Sequence, residues 1–313
     1  MRLGFLYAGQ GSQHPGMGTD LYEAFPAFRE VFDQADLDFD LKSTAFTDPL
    51  GQLDQTRYTQ PCMVAFAVGL TAVLRERGIV PAAAAGLSLG EYAALHAAGV
   101  LDGQTAIRTV AFRGAAMERA AAGVESAMIA VLGLGREPLE AVCREASAKG
   151  TVVIANYNCP GQLVIGGERS AVETAVALAK ERGAKRCMPL RTSGPFHTSL
   201  MAPAGRELAD YFQTVTFHAP EIPVLFNCLG GPRQEGDAIA DLLVRQVQSS
   251  VYMEDCIRAM AALGLDGIIE IGPGKVLSGF VRKTAPEVPV CAVETAADVE
   301  RLPAWLAALG EEK

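Results

Sequence analysis

Few side chains in this sequence are placed to act as a nucleophile, and the clearest is Ser88, between two glycines in Gly86-Leu87-Ser88-Leu89-Gly90. A Gly-x-Ser-x-Gly stretch is common enough by chance that alone it marks only a small-residue turn. Between an apolar strand and a helix it becomes a nucleophile elbow. There the tight turn brings two backbones together and pushes the serine out at the carboxyl end of a sheet. The helix N-terminus beneath it offers unpaired N–H groups to an oxyanion. A serine nucleophile also needs a base, and the chain has four histidines. His96 lies on the helix that follows Ser88, about two turns away and beyond hydrogen-bond reach. His218 reads as part of a surface turn, and His14 sits in a glycine-rich loop that can line a site. His197, in "SGPFHTSLM", occupies a loop opening a helix, the setting that best suits a base supplied from downstream.

The elements around these residues can be read from periodicity. "LGFLYA" is a short strand running into the loop "GQGSQHPGMG", and helical stretches follow around 20–35. In "QPCMVAFAVGLTAVLRERG" the apolar residues Met63, Phe66, Ala67, Leu70, Val73 and Leu74 share one helical face, with Pro61 suiting the first turn and Gly78 the stop. "IVPAAAAGLS" reads as a strand, then "LGEYAALHAAG" and "DGQTAIRTVAFRGAAMERAA" as helices. From 124 to 192 the order is strand, helix, strand, strand, helix, strand, the ferredoxin-like βαββαβ unit. Alternation resumes with "VPVLFNC" and "LDGIIEIGPGKVLSGFVRK". The fold expected is α/β. A large domain with a mostly parallel sheet spans 1–123 and 193–313, and a small ferredoxin-like domain is inserted at 124–192.

Composition narrows the function. The chain has 313 residues, half of them apolar, enough for a sizeable core. Its 27 basic and 36 acidic residues leave a net charge of −9, and no basic run stands out, so nucleic acid is not expected as a partner. No stretch is long and apolar enough for a membrane span, and the N-terminus reads as a strand, not a signal. The seven cysteines are scattered without a Cys-x-x-Cys pair, which argues against disulfides and a metal site and for a cytoplasmic setting. "GPGK", at 272–275, lacks the spacing of a phosphate loop and reads as a tight turn before a helix.

Taken together and in order, "AGQGSQHPGMG", "GLSLGEY", "FRGAAM", "NYNCPGQLVIGG", "GPFHTSLM", "VRQ" and "IEIGPGKVLSG" resemble the malonyl-CoA:acyl carrier protein transacylases of bacterial type II fatty acid synthesis. The resemblance runs nearly end to end. It implies a hydrolase-like large domain and a ping-pong malonyl transfer from malonyl-CoA to the phosphopantetheine thiol of holo acyl carrier protein, supplying fatty acid elongation. By position it implies Ser88 as nucleophile, His197 as base and Gln246 as a residue that helps orient the histidine, where the family uses a carbonyl in place of an acid. Gln10 and the N–H of Leu89 would form the oxyanion hole. Arg113 would grip the malonyl carboxylate through a bidentate fork. Asn158 would line the site, and Phe196 would crowd the α-carbon against methylmalonyl. No cofactor is implied, because coenzyme A and phosphopantetheine enter as parts of substrates, and a monomer is expected. Two positions depart from the common pattern: Leu87 stands for histidine and Ala8 for proline. A patch including Lys185, Arg186 and Lys275 would meet the acidic carrier protein despite the net charge. A serine hydrolase, a polyketide acyltransferase and a non-catalytic carrier-binding module are the rival readings.

Overall fold

A computed structural model describes residues 1–311. Its larger sheet has six strands: β1 (Leu3–Tyr7), β2 (Pro81–Gly86), β7 (Val224–Phe226), β8 (Gly231–Pro232), β9 (Gly267–Ile271) and β10 (Val290–Val293). They run in the order β10-β9-β1-β2-β7-β8, parallel throughout except for the β7–β8 pair. All five residues of β1 are buried, as expected of a strand covered by helices on both faces. Alternation sorts the side chains. Phe5, Tyr7 and Ala84 join the core beneath the helices Thr56–Glu76 and Gly103–Ala121. Leu6, Ala83 and Ala85 face the helices Met253–Ala261 and Val276–Thr284. The alanines of β2 keep both layers close to the sheet where the elbow must form.

The second sheet has four strands: β3 (Ser126–Leu132), β4 (Val152–Cys159), β5 (Gln162–Glu168) and β6 (Arg186–Pro189). Their order β4-β5-β3-β6 is antiparallel throughout, the ferredoxin-like arrangement that the sequence order implies. One face packs on its own helices, Arg136–Ala146 and Arg169–Glu181, through Val131, Leu163 and Ile165. The other presents Met128, Ala130 and Val164 to the larger core. Main-chain bonds tie the smaller sheet to the segment before the helix Met253–Ala261: Tyr157 N–H donates to Val251 O (2.8 Å) and Val251 N–H to Ala155 O (2.8 Å).

Several boundaries differ from the periodicity reading. The stretch around 20–35 is two helices, Thr19–Ala24 and Pro26–Asp33, because Pro26 begins a new first turn and Phe25 before it is extended. The long helix starts at Thr56, which puts Pro61 inside it instead of in its first turn. Gly78 does stop it, at φ +72°, with Ile79 N–H bonding back to Leu74 O (2.9 Å). The turn at 272–275 does precede a helix, and the Glu270 carboxylate already accepts from that helix's Leu277 and Ser278 N–H groups (2.9 and 2.6 Å). Among the described residues no helix is long and apolar enough to cross a membrane.

Candidate active site

Ser88 sits where β2 ends and the helix Gly90–Ala97 begins, as an elbow requires. Among the described residues it is one of three non-glycine residues with positive φ, at +50°. The turn is close because neither flanking glycine has room for a side chain. A Cβ on Gly86 would collide with the Gly90 carbonyl, and one on Gly90 with the carbonyls of Tyr7 and Ala8. The first helical turn is tight: Gly90, Glu91 and Tyr92 N–H bond back to the carbonyls of Leu87, Ser88 and Leu89. The amide of Leu89 precedes that ladder, at the positive end of the helix.

His197 lies in the loop before the helix Ala202–Phe212, also at positive φ (+61°) and 4% exposed. The loop is held by Thr198, whose hydroxyl donates to Pro195 O (2.7 Å). His197 Nε2 is 2.7 Å from Ser88 Oγ, and Nδ1 is 2.9 Å from the main-chain oxygen of Gln246. That carbonyl can only accept, so Nδ1 carries the proton and Nε2 turns its lone pair to the serine hydroxyl. Burial, and after it the positive charge of Arg113, bring the His197 pKa down from 6.5 to about 4. The ring is therefore neutral and able to take a proton at neutral pH.

Arg113 is on the buried stripe of the helix Gly103–Ala121, with Ala106, Val110 and Met117, and is itself 0% exposed. Asp102 caps that helix by accepting from Thr105 N–H (2.8 Å). Arg113 Nη2 donates to Ser88 Oγ (3.2 Å) and Gln246 Oε1 (3.0 Å), and the guanidinium lies 5.4 Å from the centre of the Tyr92 ring. Its Nε is buried without a hydrogen-bond partner, and no carboxylate forms an ion pair with it among the described residues. Gln246 Nε2 donates to Ser88 O (2.9 Å). This one residue therefore touches Ser88, His197 and Arg113.

Ser88, His197 and Arg113 open into a cavity of about 670 Å³ between the two sheets. Gln10, Leu87, Phe196 and Asn158 line it, and Asn158 Oδ1 is buried without a partner. The Gln10 side chain is engaged elsewhere on the cavity wall: Nε2 donates to Thr56 Oγ1 (3.0 Å), which meets Ser193 Oγ (2.8 Å). Its backbone N–H is in none of these bonds. His96 is half-buried and bonds Leu101 O (3.1 Å), while exposed His14 pairs with Glu294 (2.7 Å).

Some site residues escape a reading of motifs. Asn227 accepts from Ser88 N–H (2.6 Å) and donates to Gly86 O (2.7 Å), and Glu91 Oε2 accepts from Asn227 N–H (2.6 Å). Burial raises the Glu91 pKa from 4.5 to about 7. Gln60 and Asn156 also line the cavity. Arg191 is on the cavity wall, whereas Lys185 and Arg186 are not.

Comparison with known proteins gives the family. The acyl transferase domain family matches residues 4–305. The chain is 41% identical over 302 residues to the malonyl CoA-acyl carrier protein transacylase of Bacillus subtilis (strain 168), covering 96% of this chain and 95% of that one. The crystal structure of the malonyl CoA-acyl carrier protein transacylase of Clostridium perfringens superposes with a TM-score of 0.96 at 37% identity, covering 99% of this chain and 98% of the other. A type II polyketide acyl carrier protein complexed with its malonyl-transacylase gives a TM-score of 0.92 at 37% identity, covering 96% and 98%. By sequence and fold, the chain belongs to the malonyl CoA-acyl carrier protein transacylases of the acyl transferase family.

Proposed function

We propose that this protein moves malonyl from malonyl-CoA to the phosphopantetheine thiol of acyl carrier protein through an ester on Ser88, supplying fatty acid elongation. The observation that carries the reading is Arg113, fully buried beside Ser88 and, among the described residues, in no ion pair with a carboxylate. A buried guanidinium costs solvation free energy unless an anion meets it, and the free carboxylate of a malonyl group is such an anion. A simple esterase has no use for it.

The steps follow from the contacts. As the Ser88 hydroxyl attacks the thioester carbonyl, His197 Nε2 takes its proton, and the Gln246 carbonyl steadies the imidazolium through Nδ1–H. The backbone N–H groups of Gln10 and Leu89 receive the developing oxyanion. Collapse expels the coenzyme A thiolate, which takes the proton from His197. The carrier thiol then gives its proton to His197 and attacks the malonyl-serine ester, and the reverse sequence frees Ser88. Asn158 and Phe196 bound the acyl chamber, with Phe196 limiting substituents at the α-carbon. Exposed Lys275, next to the cavity-lining Val276, is positioned to meet an acidic carrier.

The deciding variant is Arg113→Ala. Truncating one partner of a buried charge pair costs roughly 2–5 kcal/mol, so kcat/KM for malonyl-CoA is expected to fall about 30-fold or more, with a much smaller loss for acetyl-CoA. Equal losses for the two donors would overturn the reading. In Ser88→Ala, intact mass after incubation with malonyl-CoA is expected to show no adduct.

A further inference from the structure

Backbone at φ +50° is strained for a serine and persists only where the surroundings over-determine it. Two side chains do so here. On the carbonyl side, Gln246 Nε2 donates to Ser88 O (2.9 Å). On the amide side, the single planar amide of Asn227 spans the turn. Its Oδ1 accepts from Ser88 N–H (2.6 Å), and its Nδ2 donates to Gly86 O (2.7 Å). Both ends of the Leu87 peptide segment are thereby fixed to one rigid group.

Asn227 is itself held. It follows β7, is 0% exposed, donates its backbone N–H to Glu91 Oε2 (2.6 Å) and accepts from Tyr252 N–H (2.9 Å) at its carbonyl. Glu91 belongs to the helix that begins just after Ser88, so the chain from β2 through the elbow into that helix is closed by hydrogen bonds onto the end of β7. Asn227 does not line the cavity, so it acts on substrate only through Ser88.

We propose that Asn227 is a positioning residue of the transfer reaction. It locks the elbow in the left-handed conformation that aims the Ser88 hydroxyl at His197. An amide of this length suits both bonds at once. Aspartate can accept from Ser88 but cannot donate to Gly86, leucine can do neither, and serine is too short to reach both. The grip on the malonyl carboxylate belongs to Arg113, on the helix Gly103–Ala121. Removing Asn227 should therefore reduce reactivity and spare substrate affinity.

The test uses two measurements on the full chain, only one of which rests on the malonyl reading. The first is the second-order rate at which a fluorophosphonate labels Ser88, which requires the serine, histidine and oxyanion geometry but no malonyl group. The second is the dissociation constant of malonyl-CoA in a Ser88→Ala background. Asn227→Ala is expected to slow labelling tenfold or more, while Asn227→Ala/Ser88→Ala binds malonyl-CoA within twofold of Ser88→Ala. Labelling at the wild-type rate, or equal losses in labelling and binding, would overturn the proposal. If Asn227→Ala does not fold, Asn227→Asp takes its place, with labelling expected three- to tenfold slower; an unchanged rate there refutes the bridge. If Ser88→Ala fails to bind malonyl-CoA at all, the malonyl reading falls, and labelling alone decides the role of Asn227.

Discussion

His197 has a main-chain oxygen behind it where a serine protease has a carboxylate, and this sets its chemistry. With burial and Arg113 holding its pKa near 4, the acidic limb of kcat/KM, which reports the free enzyme, is expected near pH 4 and not near 6.5. A malonyl carboxylate on Arg113 cancels much of that charge, so the limb of kcat should lie at higher pH than the limb of kcat/KM. Arg113→Ala should move the kcat/KM limb upward; a wild-type limb at 6.5 or above would contradict the assignment. Gln246 makes a sharper case. Its side chain holds Ser88 O and Arg113, but its carbonyl survives any substitution. Gln246→Ala should thus lower kcat only about tenfold, against the roughly 10⁴-fold loss when a triad aspartate loses its charge. Ser88 and His197 could be found in the sequence because chemistry confines such roles to few residue types, whereas Arg113 comes only through the family resemblance. By itself an arginine on a helix reads as part of a solvated face, and only the fold shows that Arg113 is buried. Asn227 gives no signal of its own, because its partner Ser88 lies 139 positions away and only the pairing of β2 with β7 brings them together.

The elbow also constrains the elements that meet there. β2 and the helix Gly90–Ala97 pass so close to each other and to β1 that Gly86 and Gly90 have no space for a methyl group. Gly90→Ala must push the helix away from the carbonyls of Tyr7 and Ala8. It is expected to cost roughly 3 kcal/mol, lowering the melting temperature by about 5–10 °C, with Ser88 labelling slowed as well. Thermal melts and labelling rates on the same preparation would check both. At this scale the sequence reveals the long elements well, because caps and periodicity act locally. Asp102 and Gly78 mark real helix boundaries. Pro61 misleads, because the turn before it, Thr56–Gln60, is held by tertiary packing and is largely buried. The short β8 and β10 are set by pairing with neighbours, and their own residues carry little signal.

Across the whole molecule, two buried groups give opposing pH dependences. His197 has a folded pKa below its unfolded value, so its contribution to stability is present above pH 6.5 and is lost as pH falls toward 4. Glu91 has a folded pKa above its unfolded value, so its contribution is present below pH 4.5 and is lost as pH rises through 7. Glu91→Gln should therefore raise the melting temperature at pH 8 by a few degrees relative to its effect at pH 4.5. Equal shifts at both values would show that Glu91 stays charged. The two sheets are also joined by side chains: Arg136 pairs with Asp255 (2.9 Å) and Glu254 (3.2 Å), and the Tyr157 and Tyr252 rings stack at 4.9 Å. Their interface is the cavity. Every group assigned to bond-making lies outside the four-stranded sheet, yet Met128, Ala130, Asn156, Asn158 and Val164 of that sheet form one wall. Chemistry and acyl selectivity are thus partly encoded in different stretches of the gene. One contiguous segment, exchanged between relatives by recombination, would remodel the chamber while leaving the reacting groups in place, a route by which new acyl preferences can evolve without rebuilding the catalyst.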